Sequence, residues 1–108
     1  QMDDVLTLLK VTTEKDTRGV QHKVVTPRDV FCKRRSVSRN EFFEGGRNGL
    51  NPEFVFDVFH GDYDGETLCR YDGNSYAIYR TYLPDNSDYI ELYAQREGGV
   101  NGIAESND

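Results

Sequence analysis

The stretch Ser38-Arg-Asn-Glu-Phe-Phe-Glu-Gly-Gly-Arg-Asn-Gly-Leu-Asn-Pro-Glu-Phe-Val-Phe-Asp-Val-Phe-His60 decides the fold. Ser38 followed three residues later by Glu41 spells a capping box: the serine oxygen takes an orphan amide of the first helical turn, and the glutamate reaches back to the Ser38 amide. Gly45 and Gly46 are expected to end that helix, Asn48-Gly49 to turn the chain, and Pro52 to discourage its resumption. Phe54, Phe56 and Val58 then alternate with Val55, Asp57 and Phe59, the pattern of a strand with one face fully buried and the other largely so. A short helix carrying two adjacent phenylalanines between strands points to an interaction element rather than a catalytic site.

Strand signals surround this segment. Upstream, Val5 to Thr13 and Val20 to Val25 read as the arms of a hairpin around the polar turn Glu14 to Gly19. Thr26-Pro27 is expected to break the run, leaving Arg28 to Val37 as a separate, longer strand. Its centre, Lys33-Arg34-Arg35, puts positive charge on both faces, so that end is expected to run past the core into solvent or an interface. Downstream, Asp64-Gly65 is a turn, Glu66 to Tyr71 an arm, Asp72-Gly73 a strong hairpin turn and Ser75 to Tyr82 the returning arm. After the loop Pro84-Asp-Asn-Ser87, Tyr89 to Ala94 forms a last strand with Ile90, Leu92 and Ala94 on one face. These short strands imply a mainly β fold, a small antiparallel β-barrel or sandwich with a short helix-bearing insertion. Barrel closure would remove the exposed edges of so small a sheet. Residues 2–97 read as one domain and 98–108 as a flexible polar tail.

A chain of 108 residues supports one modest core. With 36% hydrophobic and 30% charged residues, much of it must face solvent or partners, and seven Tyr and six Phe supply core area instead. The net charge of −6 is polarised: residues 1–50 hold ten Lys/Arg against seven Asp/Glu, residues 51–108 three against twelve. Such a chain is a poor holder of duplex DNA. It suits head-to-tail contacts between copies, unless both signs simply solvate a monomer. No run approaches the about 20 apolar residues of a membrane helix, and the N-terminus lacks a signal peptide's apolar core, so a cytosolic protein without membrane contact is expected. Gln1, preceding Met2, is set aside as an added residue. Cys32 and Cys69 fit no metal spacing and are expected as small buried strand residues rather than a disulfide.

Asp62-Tyr-Asp64-Gly65-Glu66 resembles a calcium loop but lacks a third ligand before its glycine, and Tyr71 stands where the closing glutamate belongs, so a solvated acidic turn is expected. His22 and His60 have no nucleophile or orienting carboxylate at a recognisable spacing. No glycine-rich loop opens a helix with phosphate-binding spacing. The expectation is therefore no enzyme, no metal and no cofactor. Tyr71, Tyr76, Tyr79, Tyr82, Tyr89 and Tyr93 would stack single-stranded nucleic acid only with interleaved cations; acidic residues surround them, and packing is the better account.

Four segments together resemble the head-closure proteins of tailed bacteriophages, also described as head–tail adaptors or stoppers. They are residues 36–50, the Pro52-Glu-Phe-Val-Phe56 strand start, the Tyr71-to-Tyr82 hairpin and Asp88-Tyr-Ile-Glu-Leu-Tyr93, and the likeness spans residues 2–97. The resemblance implies a small barrel that assembles as a ring beneath the portal or its adaptor. There it closes the DNA exit channel without catalysis and presents a surface to tail proteins. Relatives of similar shape complete the tail instead. It also implies a virion-neck location, reached from the host cytoplasm, and a role for residues 36–52 in assembly. On this reading one of Phe42 and Phe43 packs on the barrel while the other, with Leu50, anchors a neighbouring subunit, and Arg39 and Arg47 face acidic groups or channel DNA. The alternative is a rigid surface helix covering one barrel end. Lys33, Arg34 and Arg35 form a basic cluster expected near a neighbouring subunit or DNA.

Overall fold

The structure is a computed structural model that describes residues 2–97, so Gln1 and the expected tail at 98–108 lie outside it. Among these residues the chain forms strands β1 (Asp4–Lys15), β2 (Gln21–Ser36), β3 (Pro52–Phe59), β4 (Leu68–Tyr71), β5 (Asn74–Tyr82) and β6 (Tyr89–Arg96). A helix, α1 (Arg39–Arg47), sits between β2 and β3, and a single 3-10 turn, His60–Asp62, follows β3. The strands close into one antiparallel barrel in the order β1-β2-β3-β6-β5-β4.

Strand alternation fills the barrel. Leu6, Leu8, Val30, Cys32, Phe56, Val58, Cys69, Tyr76, Ile78, Leu92 and Ala94 form one buried cluster, with Phe54, Tyr63, Tyr71 and Ile90 packed against it. In so narrow a barrel these side chains are the core itself. Phe56 and Tyr76 meet edge-to-face at 5.9 Å. Cys32 and Cys69 are free and buried as expected; burial pushes each thiol up to about 12. Asp72 (φ 50°) and Gly73 (φ 81°) supply the two left-handed residues of the β4–β5 hairpin turn.

Two expectations of strand layout are corrected. Thr26-Pro27 does not break the chain: the segments expected at Val20–Val25 and Arg28–Val37 merge into the single strand β2, Gln21–Ser36, in which Pro27 stands opposite Leu9. Proline is tolerated because β2 meets β3 only from Cys32 onward, so at Pro27 one edge of the strand is unpaired. It is therefore the beginning of β2, not its basic centre, that leaves the core, as a two-stranded ribbon with β1. The radius of gyration, 15.2 Å, reflects this extension; a compact domain of this size has about 13 Å. In addition, Glu66 is not part of a solvated turn or of β4. It is 4% exposed, accepts from Arg28 Nη2 (2.7 Å) and from the Asp64 amide (2.9 Å), and Tyr63 donates its hydroxyl to the Glu66 carbonyl (2.6 Å). Burial raises the Glu66 carboxyl, but the Asp64 amide and Arg28 outweigh it and hold it below the usual glutamate range.

Candidate functional site

The insertion α1 is built by local sequence and then fastened to the barrel wall. Ser38 Oγ accepts from the Glu41 amide at 3.0 Å, as the capping box requires. The reciprocal half fails, because the Glu41 carboxylate turns away to the barrel. Its Oε1 accepts from Arg80 Nη2 (2.6 Å), and its Oε2 from the Tyr79 hydroxyl (2.6 Å) and Arg80 Nε (3.2 Å). Two adjacent strand residues can serve one carboxylate because β5 is irregular between Ile78 and Arg80. Such a bulge breaks the usual alternation and aims both side chains outward.

Gly45 and Gly46 do not end the helix, which runs on to Arg47. Gly45 is buried against β3, where an added Cβ would overlap the Pro52 ring; the position needs a missing side chain, not a turn. The actual stop is a Schellman motif on Gly49 (φ 79°): the Leu50 amide donates to Gly45 O (2.8 Å) and the Gly49 amide to Gly46 O (3.2 Å). Beneath the helix, Val55 is buried on the outward phase of β3.

With its docking face used by Glu41, Gly45 and Leu50, the helix leaves Phe42 and Phe43 45% and 56% exposed. Their rings meet edge-to-face at 5.6 Å. Neither phenylalanine is buried on the barrel, so the expected division of labour between them is absent from the isolated chain. Leu50 is half-buried beside Gly45 rather than part of the exposed aromatic pair. Arg39 is exposed and in no ion pair among the described residues, whereas Arg47 pairs with Glu44 at 2.5 Å.

The basic residues Lys33, Arg34 and Arg35 of β2 do not form one patch. Arg34 lies on the inward phase and caps one barrel end, its guanidinium 4.5 Å from the Phe54 ring centroid and 5.7 Å from that of Tyr71. Arg35, on the outer wall, makes two 3.1 Å hydrogen bonds to Asp57 and a 3.2 Å contact with Glu91. Hydrogen bonding to Asp57 above all pushes the Arg35 guanidinium up from its ordinary value. Lys33 is exposed and lines a cleft of about 460 Å³ with Met2, Asp57, Pro84, Tyr89 and Glu91. Glu91 also accepts the Tyr93 hydroxyl (2.6 Å), and Arg80 stacks 3.7 Å from the Tyr93 centroid. One polar chain thus runs along the outer wall from α1 to β2.

The sequence reading missed an exposed aromatic row. Phe59 pairs with Tyr89 across β3 and β6, and Val5 with Phe31 across β1 and β2. The β2–β3 register, one step beyond Cys32↔Val58, brings Phe31 beside Phe59. All four are exposed, from 43% at Tyr89 to 64% at Phe31. Alternation alone marked Phe59 as outward; neighbourhood across four strands needed the register.

Among the described residues, no group of three His, Cys, Asp or Glu converges to hold a metal ion, and no helix is long and apolar enough to cross a membrane. No family model matches the chain, and no match was found among the curated proteins compared with it.

Proposed function

We propose that this chain is a structural, non-enzymatic neck protein of a tailed bacteriophage. It docks as an oligomeric ring at the portal or its adaptor, closes the DNA exit channel and offers the tail its attachment surface, with no cofactor. The observation that carries this reading is the helix insertion. It is held to the wall from behind through Gly45 and Glu41, and it presents Phe42, Phe43 and Arg39 to whatever lies beyond. Exposed aromatics with an adjacent arginine are the composition of protein interface centres. A single-stranded nucleic-acid role for the tyrosines is less well supported: Tyr76 is buried, and Tyr79 and Tyr93 donate to Glu41 and Glu91.

The test is light scattering of the purified protein with its matching portal–adaptor complex. The expected result is a ring of fixed stoichiometry added to that complex. The double variant Phe42→Ala/Phe43→Ala should fail to add while keeping its thermal midpoint, since both rings are exposed. Rings formed on tail components alone would move the protein to tail completion. Binding to neither would end the neck reading.

A further inference from the structure

The β1/β2 ribbon is the part of the molecule that the neck reading leaves unused. Among the described residues, Lys10–Lys15 and Gln21–Thr26 pair with each other and with no other strand. Six such rungs extend about 20 Å. The tip is stiff: Asp16 Oδ1 accepts from the amides of Arg18 (2.8 Å) and Val20 (3.0 Å), the Asp16 amide donates to Val20 O (2.9 Å), and Gly19 supplies a φ of 84°. A two-stranded hairpin without cover is marginal in water. A stiffened, uncovered one is a docking element organised ahead of its partner.

Its outward face is apolar at the base and basic toward the tip. Val11 stands opposite Val25, 41% and 52% exposed, and Thr13–Lys23 and Lys15–Gln21 follow. Lys15 and Lys23 are exposed and in no ion pair among the described residues. Residues 10–27 carry Lys10, Lys15, Arg18 and Lys23 against Glu14 and Asp16, a balance of +2, which leaves −8 for the rest of a chain whose total is −6.

The complementary surface is on the same molecule. In the chain, Asp62 follows the exposed Phe59 and Asp85 and Asp88 precede its partner Tyr89, on two segments joined by a 2.9 Å bond from the His60 amide to Asp88 O, and Lys33 lines the cleft beside Tyr89. Among the described residues none of these three aspartates is in an ion pair.

We infer that the ribbon of one copy docks on the Phe59–Tyr89 wall of a second copy, with Val11 and Val25 against the two rings and Lys15 and Lys23 toward Asp85 and Asp88. A second copy fits better than nucleic acid, because the outward valine pair calls for apolar cover that a phosphate backbone does not offer. The inference stands on the ribbon and the wall and does not rest on the neck reading.

The test uses the purified full chain without any portal. Sedimentation velocity over rising concentration should show self-association that weakens with salt. Lys15→Glu/Lys23→Glu and Asp85→Lys/Asp88→Lys, all at exposed positions, should each weaken it by about tenfold or more. An equimolar mixture of the two variants should recover it, because each ribbon then meets a wall of opposite charge. A wild type that stays monomeric throughout, or variants that do not rescue one another, would overturn the inference. So would an oligonucleotide bound through Lys15 and Lys23 by a chain that does not self-associate. Self-association through the ribbon by a chain that ignores the portal would uphold this inference and end the neck reading; the reverse pair of results would do the opposite.

Discussion

The barrel sends out two excursions, and they are held in opposite ways. The helix α1 is tied to the wall at three points: a glycine seated on Pro52, a carboxylate shared by Tyr79 and Arg80, and a Schellman turn that folds Leu50 back. Among the described residues the ribbon of β1 and β2 has one ion-pair tether to the barrel, Lys10 to Asp64 at 2.6 Å near its base, and is otherwise mostly exposed. The helix uses Glu41 on its own barrel and leaves two aromatic rings outside. The ribbon spends only Lys10 on the barrel and keeps both a valine pair and two lysines outside. Substitutions at the tethers of the helix should therefore cost stability, and on the ribbon only association.

The largest effect is expected at Gly45. An alanine gains helix propensity worth about 1 kcal/mol, yet its Cβ overlaps a proline ring that cannot swing aside. Overpacking of this kind costs about 1–3 kcal/mol; set against that gain, Gly45→Ala should lose up to about 2 kcal/mol net and lower the urea midpoint with an unchanged slope. A stabilised variant would show that the helix is not seated on Pro52.

Glu41→Gln tests the second tether and should cost about 1 kcal/mol at neutral pH, because Arg80 is partly exposed and its share is screened. The pH dependence has a definite sign. Hydrogen bonding from Arg80, joined by Tyr79 and opposed by burial, holds the Glu41 carboxyl below its ordinary 4.5. A carboxyl depressed on folding stabilises fully above that ordinary value, and the contribution is lost as pH falls through the folded one. The gap between wild type and Glu41→Gln, followed by denaturation across this acidic window, should close. A gap that stays constant would mean the carboxylate is not charged in its Arg80 contact.

The sequence announces what is local and hides what is made by neighbours. Ser38 capping α1, the Asp72-Gly73 hairpin and the inward set Ile90, Leu92 and Ala94 are legible because each depends on residues within a few positions. Gly45 was misread as a helix stop because its reason, the Pro52 ring, lies across a loop. Pro27 was misread as a strand break because the free edge that tolerates it exists only where β3 has not yet joined β2. Glu66 was misread as solvated because its cover is Arg28 on another strand and Tyr63 folded over it. Of the candidate surface, the aromatic pair on the helix was legible, whereas the Phe31–Phe59–Tyr89 row required a register that alternation alone does not give.

The smallest change in stability, and the sharpest use of the comparison, is expected on the ribbon. Val11→Thr/Val25→Thr keeps the β-branch that suits a strand and removes only the apolar tips of two exposed side chains. Both side chains are about half exposed, so the unfolding free energy should stay within about 0.5 kcal/mol of wild type. Self-association, measured on the same sample, should fall, because the valines are proposed to meet Phe59 and Tyr89 of another copy. Gly45→Ala should give the converse: a weakened fold whose ribbon, still intact, goes on binding. If the valine variant instead lost stability as Gly45→Ala does, the ribbon would be covered by its own barrel, and the contrast between a tethered helix and a free arm would be void.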